Sequence, residues 1–141
     1  MATIYIAGIA MTVFGRHVER SLHDLAGEAL QGALQDAGCR PGDIGAAFYT
    51  GMTNGSLQGQ ISIPGQVIFS KIGIEGIPVY NIENACASGS SGFNLAVQSL
   101  KAGTTDVALA IGAEKMNVPD KAKAFALFEA GWDVSRAEEN Y

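Results

Sequence analysis

Cysteine and histidine are scarce in this chain of 141 residues, with two of each. Cys39 and Cys86 are too few to make the disulfide framework of a small secreted domain. The opening Met1-Ala2-Thr3-Ile4-Tyr5 has neither the basic start nor the apolar core of a signal peptide. A reduced, cytoplasmic setting is expected. His17 and His23 are distant from the cysteines and give no metal-ligand spacing, so no metal site is expected. His23 falls in the first turn of a helix, where positive charge is disfavoured, and His17 in a polar loop. Both read as solvated surface groups rather than catalytic bases. Basic residues are few as well, nine Lys and Arg against fourteen Asp and Glu, for a net charge of −5. That balance argues against nucleic acid or an anionic membrane surface as the default partner. No apolar run approaches the roughly 20 residues of a membrane span, so no membrane partner is expected either.

What is abundant is apolar surface and glycine. A hydrophobic content of 48% is enough for the packed core of one domain of this length. Residues 4–9 read as a short buried strand, followed by a loop over 11–19. Ser21 then caps a helix, with Asp24 three residues on in a weak capping box. Leu22, Leu25, Ala26, Ala29, Ala33, Leu34 and Ala37 make its apolar face, Gly38 stops it, and Pro41 prevents a restart. Apolar runs over 44–50, 77–82 and 107–111 alternate with helices, the βα pattern of a sheet covered on both faces. Between them, 51–63 reads as a Gly/Ser/Gln-rich loop, and Pro64 opens a short helix closed by Gly73. Near the end, Pro119 opens a helix through Phe128, with Ala122, Phe125, Ala126 and Phe128 apolar.

The most informative stretch is Pro78-Val79-Tyr80-Asn81-Ile82-Glu83-Asn84-Ala85-Cys86-Ala87-Ser88-Gly89-Ser90-Ser91-Gly92-Phe93. It passes from an apolar run through a polar corner into a helix carrying Phe93, Ala96, Val97 and Leu100 at helical spacing and stopped by Gly103. Cys86 thus falls at or just before the first turn, where unpaired N–H groups and the helix dipole favour an ionised sulfur. Small neighbours leave room for a carbonyl to approach, the arrangement of an activated nucleophile. A buried, inert cysteine is the plainer alternative. A nucleotide site is another, because Ala87-x-Gly89-x-x-Gly92 misses the dinucleotide fingerprint by one methyl group and Glu114 follows the next apparent strand. Four residues, Glu83 to Cys86, separate that motif from its strand, where the fingerprint has a direct turn.

Three blocks carry a family resemblance. Asn84-Ala85-Cys86-Ala87-Ser88-Gly89-Ser90-Ser91-Gly92 resembles the nucleophile motif of the thiolases, and Ile111-Gly112-Ala113-Glu114-Lys115-Met116 the strand end that follows it. Ile6-Ala7-Gly8-Ile9-Ala10-Met11-Thr12-Val13-Phe14-Gly15 resembles the opening of the sterol-carrier-protein type of thiolase. The resemblance implies an α/β fold, a layered half-domain with a mixed, mostly parallel sheet and helices on both faces. Within these residues that half-domain is incomplete, lacking its fifth strand. Residues 1–116 would be the partial N-terminal domain and 117–141 the start of an inserted loop region.

The implied activity is acyl transfer on a 3-oxoacyl-CoA through an acyl-cysteine at Cys86, in thiolytic cleavage or its reverse. The backbone at Cys86 and Gly89 would serve the oxyanion, and Met116, Phe125, Phe128 and Trp132 would line a substrate tunnel. Coenzyme A enters as substrate, with no covalently bound cofactor. The family's histidine base and second cysteine belong to later motifs, so the chain is expected to be part of a longer protein and not to turn over alone. Implied partners are acyl-CoA and further copies of the chain, as a homodimer or tetramer joined along 79–82. Some relatives instead work with a zinc-bearing OB-fold subunit in retro-aldol cleavage. A catalytically silent acyl-CoA-binding or scaffold subunit is the remaining alternative.

Overall fold

The computed structural model describes residues 3–139. Helix α1, Leu22–Ala37, starts where Ser21 accepts a bond from the Asp24 N–H while the Asp24 carboxylate accepts one from the Ser21 N–H, at 3.1 and 2.9 Å. The Ser21 hydroxyl, which donates to the same carboxylate at 2.7 Å, and then the Ser21 N–H hold the Asp24 carboxyl below the usual carboxylate range. The helix ends at Gly38, whose φ of 64° is the left-handed conformation that glycine adopts without strain. Its buried residues are Leu22, Ala26, Leu30 and Leu34. Leu30, wholly buried, completes a face that the sequence reading left without it.

Strand β1, Ala46–Thr50, is buried along its whole length. It lies between β2, Val79–Ile82, and β3, Ala108–Gly112, in a parallel sheet of order β2-β1-β3. Alternation along β1 divides the core between two faces. Ala47 and Tyr49 meet Leu30 and Leu34 of α1 and the pair Ile68 and Phe69 of α3, Pro64–Ser70. Ala46 and Phe48 meet Ala96 of α4, Ser88–Lys101. A Cβ added at Gly92 would strike the Thr50 methyl, so α4 sits closer to β1 than any other residue there would allow. The chain is a layered α/β sandwich with helices on both faces.

Four expectations need correction. Residues 4–9 form no strand, and Tyr5, Ile6 and Ile9 are exposed. The segment lies along α1, where a Cβ at Gly8 would meet Ala33 and Ala37, and the Ile9 N–H donates to Asp36 at 2.8 Å. Among the described residues no strand stands beside it, and an apolar groove of about 810 Å³ separates it from the outer edge of β3. Strand composition without a hydrogen-bonding neighbour yields no strand. The loop over 51–63 contains a short helix α2, Asn54–Gln58, stopped by left-handed Gly59. Phe93 of α4 is half exposed and faces the same groove. Helix α5, Lys121–Glu129, begins after Asp120, whose side chain accepts from the Lys123 N–H, rather than at Pro119. It buries Ala124 and Leu127 and leaves Phe125 and Phe128 exposed. Of the tail, Asn140 and Tyr141 lie outside the described residues.

Candidate active site

The C-terminal ends of β1, β2 and β3 meet at a cleft of about 350 Å³. In parallel α/β sheets this is where ligands bind, because the loops leaving the strands diverge there. Cys86 borders the cleft from one side. It belongs to a single 3-10 turn, Ala85–Ala87, that runs directly into α4, and it is exposed. The β2–α4 connection therefore takes a polar corner and an extra turn, unlike the tight link of a dinucleotide site.

The corner is held by its own polar groups. Ala85 has φ +45°, a left-handed conformation that costs an L-residue about 1–2 kcal/mol. The Glu83 carboxylate accepts from the Ala85 N–H at 2.7 Å. Ser88, only 6% exposed, accepts from the Asn84 N–H and donates to the Ala85 carbonyl, both at 2.8 Å. Asn84 also donates through its amide to the Ser91 hydroxyl at 2.9 Å. Strain held by a surrounding network is a common mark of a functional corner.

The facing wall comes from the ends of β1 and β3. The carboxylate of Glu114 accepts from the backbone N–H groups of Met52 and Thr53 and from the Thr53 hydroxyl. Beneath it, buried Asn54 donates to the Tyr49 hydroxyl at 2.7 Å, which donates to the Ala113 carbonyl at 3.3 Å. Burial, with the Glu114 charge adding to it, pushes the Tyr49 hydroxyl up to about 12, and the bond from Asn54 opposes the shift. The Lys115 ammonium donates to the carbonyls of Val18 and Arg20 and ties down the preceding loop. Gln58 reaches the Lys115 carbonyl at 2.9 Å, and Asn81 donates to Gln66 at 2.7 Å, so these two glutamines are bonded within the fold.

Of the residues singled out from sequence, the cleft gathers Cys86, Gly89, Met116 and Phe128. Phe125 and Trp132 fall outside its lining, although the Phe125 and Phe128 rings are neighbours at 6.3 Å. Cys39 is packed against the core, with its sulfur 3.7 Å from the Ala37 carbonyl. His17 bonds the Val13 carbonyl at 2.7 Å, and neither histidine borders the cleft. His23 lies below its ordinary value, through burial first and then the nearby Lys71 charge. Among the described residues, no group of three or more His, Cys, Asp or Glu is gathered as for a metal. Nor is any helix long and apolar enough to cross a membrane. Sequence reading missed Thr53 and Ser88. Their signal was weak: a hydroxyl in a loop, and one serine among several in the helix start.

The thiolase N-terminal domain model matches residues 4–136, and the chain belongs to the thiolase family. Among curated relatives, acetyl-CoA acetyltransferase of Methanocaldococcus jannaschii is 37% identical over 116 residues, 82% of this chain and 29% of that protein. Non-specific lipid-transfer protein-like 2 of Caenorhabditis elegans is 36% identical over 116 residues, 80% of this chain and 27% of that protein. The solved acetyl-CoA acetyltransferase of Syntrophomonas wolfei aligns with a TM-score of 0.63 at 28% identity, covering 74% of this chain and 27% of that one. Xanthomonas campestris OleA, at 21% identity and a TM-score of 0.66 over 79% of this chain and 32% of that one, shares the fold. The chain thus spans about a third or less of the length of these relatives.

Proposed function

We propose that this chain supplies the nucleophile of a thiolase-type acyltransferase and that Cys86 is that nucleophile. The observation that supports the reading is an exposed cysteine at a strained, hydrogen-bonded helix entry, beside an open cleft rimmed by Met116 and Phe128. In the cleaving direction, the sulfur attacks the keto carbon of a 3-oxoacyl-CoA. The bond between that carbon and the α-carbon then breaks, its electron pair leaving with the α-carbon, which takes up a proton to give the shortened CoA ester. The acyl-S-Cys86 that remains is attacked by the thiol of a second coenzyme A, which restores the cysteine. The oxyanion formed at each stage needs fixed donors, and the backbone at Cys86 and Gly89 is assigned that part.

In this reading, Met116 and Phe128 contact the acyl chain, while Phe125 and Trp132 extend the apolar surface away from the cleft. Residues 117–141 are the start of a loop region that meets the coenzyme. The acid and base are supplied from outside this chain, and no covalently bound cofactor takes part. A second copy pairs along the free edge of β2, where Tyr80 is half exposed. The reading is tested by alkylation with iodoacetamide, followed by peptide mapping. Cys86 should label before Cys39, and acetyl-CoA should slow labelling of Cys86 alone, in proportion to its occupancy. Protection of neither cysteine would overturn an acyl-CoA site here; protection of Cys86 without transfer of an acyl group to it would leave a binding subunit.

A further inference from the structure

Cys86 needs a surface to press a thioester against it, and that surface is the turn after β1. We propose that Glu114 is a positioning residue for this turn, and that its carboxylate sets the distance between the wall of the cleft and the sulfur. The inference rests on Cys86 being the acyl acceptor.

Three observations carry it. First, the segment 51–53 borders the same cleft as Cys86, so a shift of its backbone changes the room beside the sulfur directly. Second, every polar bond the structure gives the Glu114 carboxylate goes to that segment, through the Met52 N–H, the Thr53 N–H and the Thr53 hydroxyl. Successive backbone N–H groups in a turn form a concave anion site, and a carboxylate from the neighbouring strand fills this one. Third, Thr53 is 1% exposed although it lies in the turn between β1 and α2. An unfilled pair of donors there would turn towards water or a ligand, and the turn would move with them.

The N–H donors of Met52 and Thr53 are thereby taken up by Glu114. There the wall presents shape to a substrate rather than hydrogen bonds, and the donors for an oxyanion must come from the Cys86 side. Tyr49 and Asn54 brace the turn from below, but they act on its far end and leave Met52 to Glu114 alone.

The test uses the full protein and measures single-turnover transfer from acetyl-CoA to Cys86, by mass, over a range of acetyl-CoA concentrations. Glu114→Gln keeps the shape but offers an amide N–H₂ where two acceptor oxygens stood. The saturating rate is expected to fall on the order of 10²-fold, the effect of about an ångström of misplacement, with little change in the half-saturating concentration. The iodoacetamide rate at Cys86 should stay at the wild-type value, because that small reagent needs no wall. Thr53→Ser, which retains the hydroxyl, should transfer normally, and Thr53→Val should fall with Glu114→Gln. Faster amide exchange at Met52 and Thr53 should accompany the loss.

A wild-type saturating rate in Glu114→Gln would overturn the proposal. Equal loss of alkylation and acyl transfer would also overturn it, since Glu114 would then be holding the fold or the nucleophile. If the unsubstituted protein accepts no acyl group, the reading of Cys86 fails first and the proposal falls with it.

Discussion

At the C-terminal ends of the strands, the polar groups of the turns are bonded to one another: Glu83 to Ala85, Ser88 to Asn84 and Ala85, Glu114 to Met52 and Thr53. Along the outer flank of β3 the situation is reversed. There, residues 3–12 lie on α1 with the bond from Ile9 to Asp36, and apolar side chains face an open groove. The Cys86 corner is held by bonds between residues two to seven apart, and the facing wall by the bonds from Glu114 across the paired β1 and β3. The flank has the composition of a strand, and among the described residues it pairs with no strand. The turns of a cleft can be tied together while the sheet that carries them is open.

The contrast can be broken from the core outward. Leu30 is wholly buried on the side of α1 that meets the sheet, so Leu30→Ala should cost about 2–5 kcal/mol and disturb both regions together, read as a lowered urea midpoint. A loss under about 1 kcal/mol would mean α1 is not anchored through this face. Ser88→Ala removes the hydroxyl that joins the Asn84 N–H to the Ala85 carbonyl, and about 1–3 kcal/mol is expected from the orphaned groups. Amide exchange should rise at Asn84 and stay unchanged at Ile9. Asp36→Ala is the mirror experiment: it frees the Ile9 N–H, costs about 1 kcal/mol or less at this exposed site, and should leave the Cys86 corner untouched. Changes at both places in either variant would dissolve the distinction.

The smallest effect belongs to pH. His23 has a folded value below its ordinary 6.5, from burial first and the Lys71 charge second. The unfolded chain then binds the proton more readily, so this contribution is fully present above about pH 6.5 and is lost as pH falls through the lowered folded value. His23→Gln should flatten that slope in stability measured between neutral and mildly acid pH. It should leave the cleft as it was, since His23 does not border it.

Sequence made α1 legible because its boundaries are chemical: a Ser/Asp capping box at one end and a left-handed glycine at the other. It made β1, β2 and β3 legible because strands of a parallel sheet are nearly continuous apolar runs, although only β1 is buried along its whole length. It misled at residues 4–9 for the same reason, since composition reports what a segment could pair with and not whether a partner is present. Helix α5 was found but its face was misread, because Phe125 and Phe128 are larger than Ala124 and Leu127 and drew the apolar stripe to themselves. The position of Cys86 at a helix entry followed from one stretch of sequence. The wall opposite did not, because Thr53 and Glu114 are 61 residues apart and meet only once β1 and β3 are paired.

The most direct test of the account is the mass of the protein after brief exposure to acetyl-CoA, with the modified residue located by peptide mapping. One acetyl group on Cys86, absent from Cys39 and absent altogether in Cys86→Ser, is the predicted result. An unmodified Cys86, or an acetyl group that persists in the Cys86→Ser protein, would contradict it.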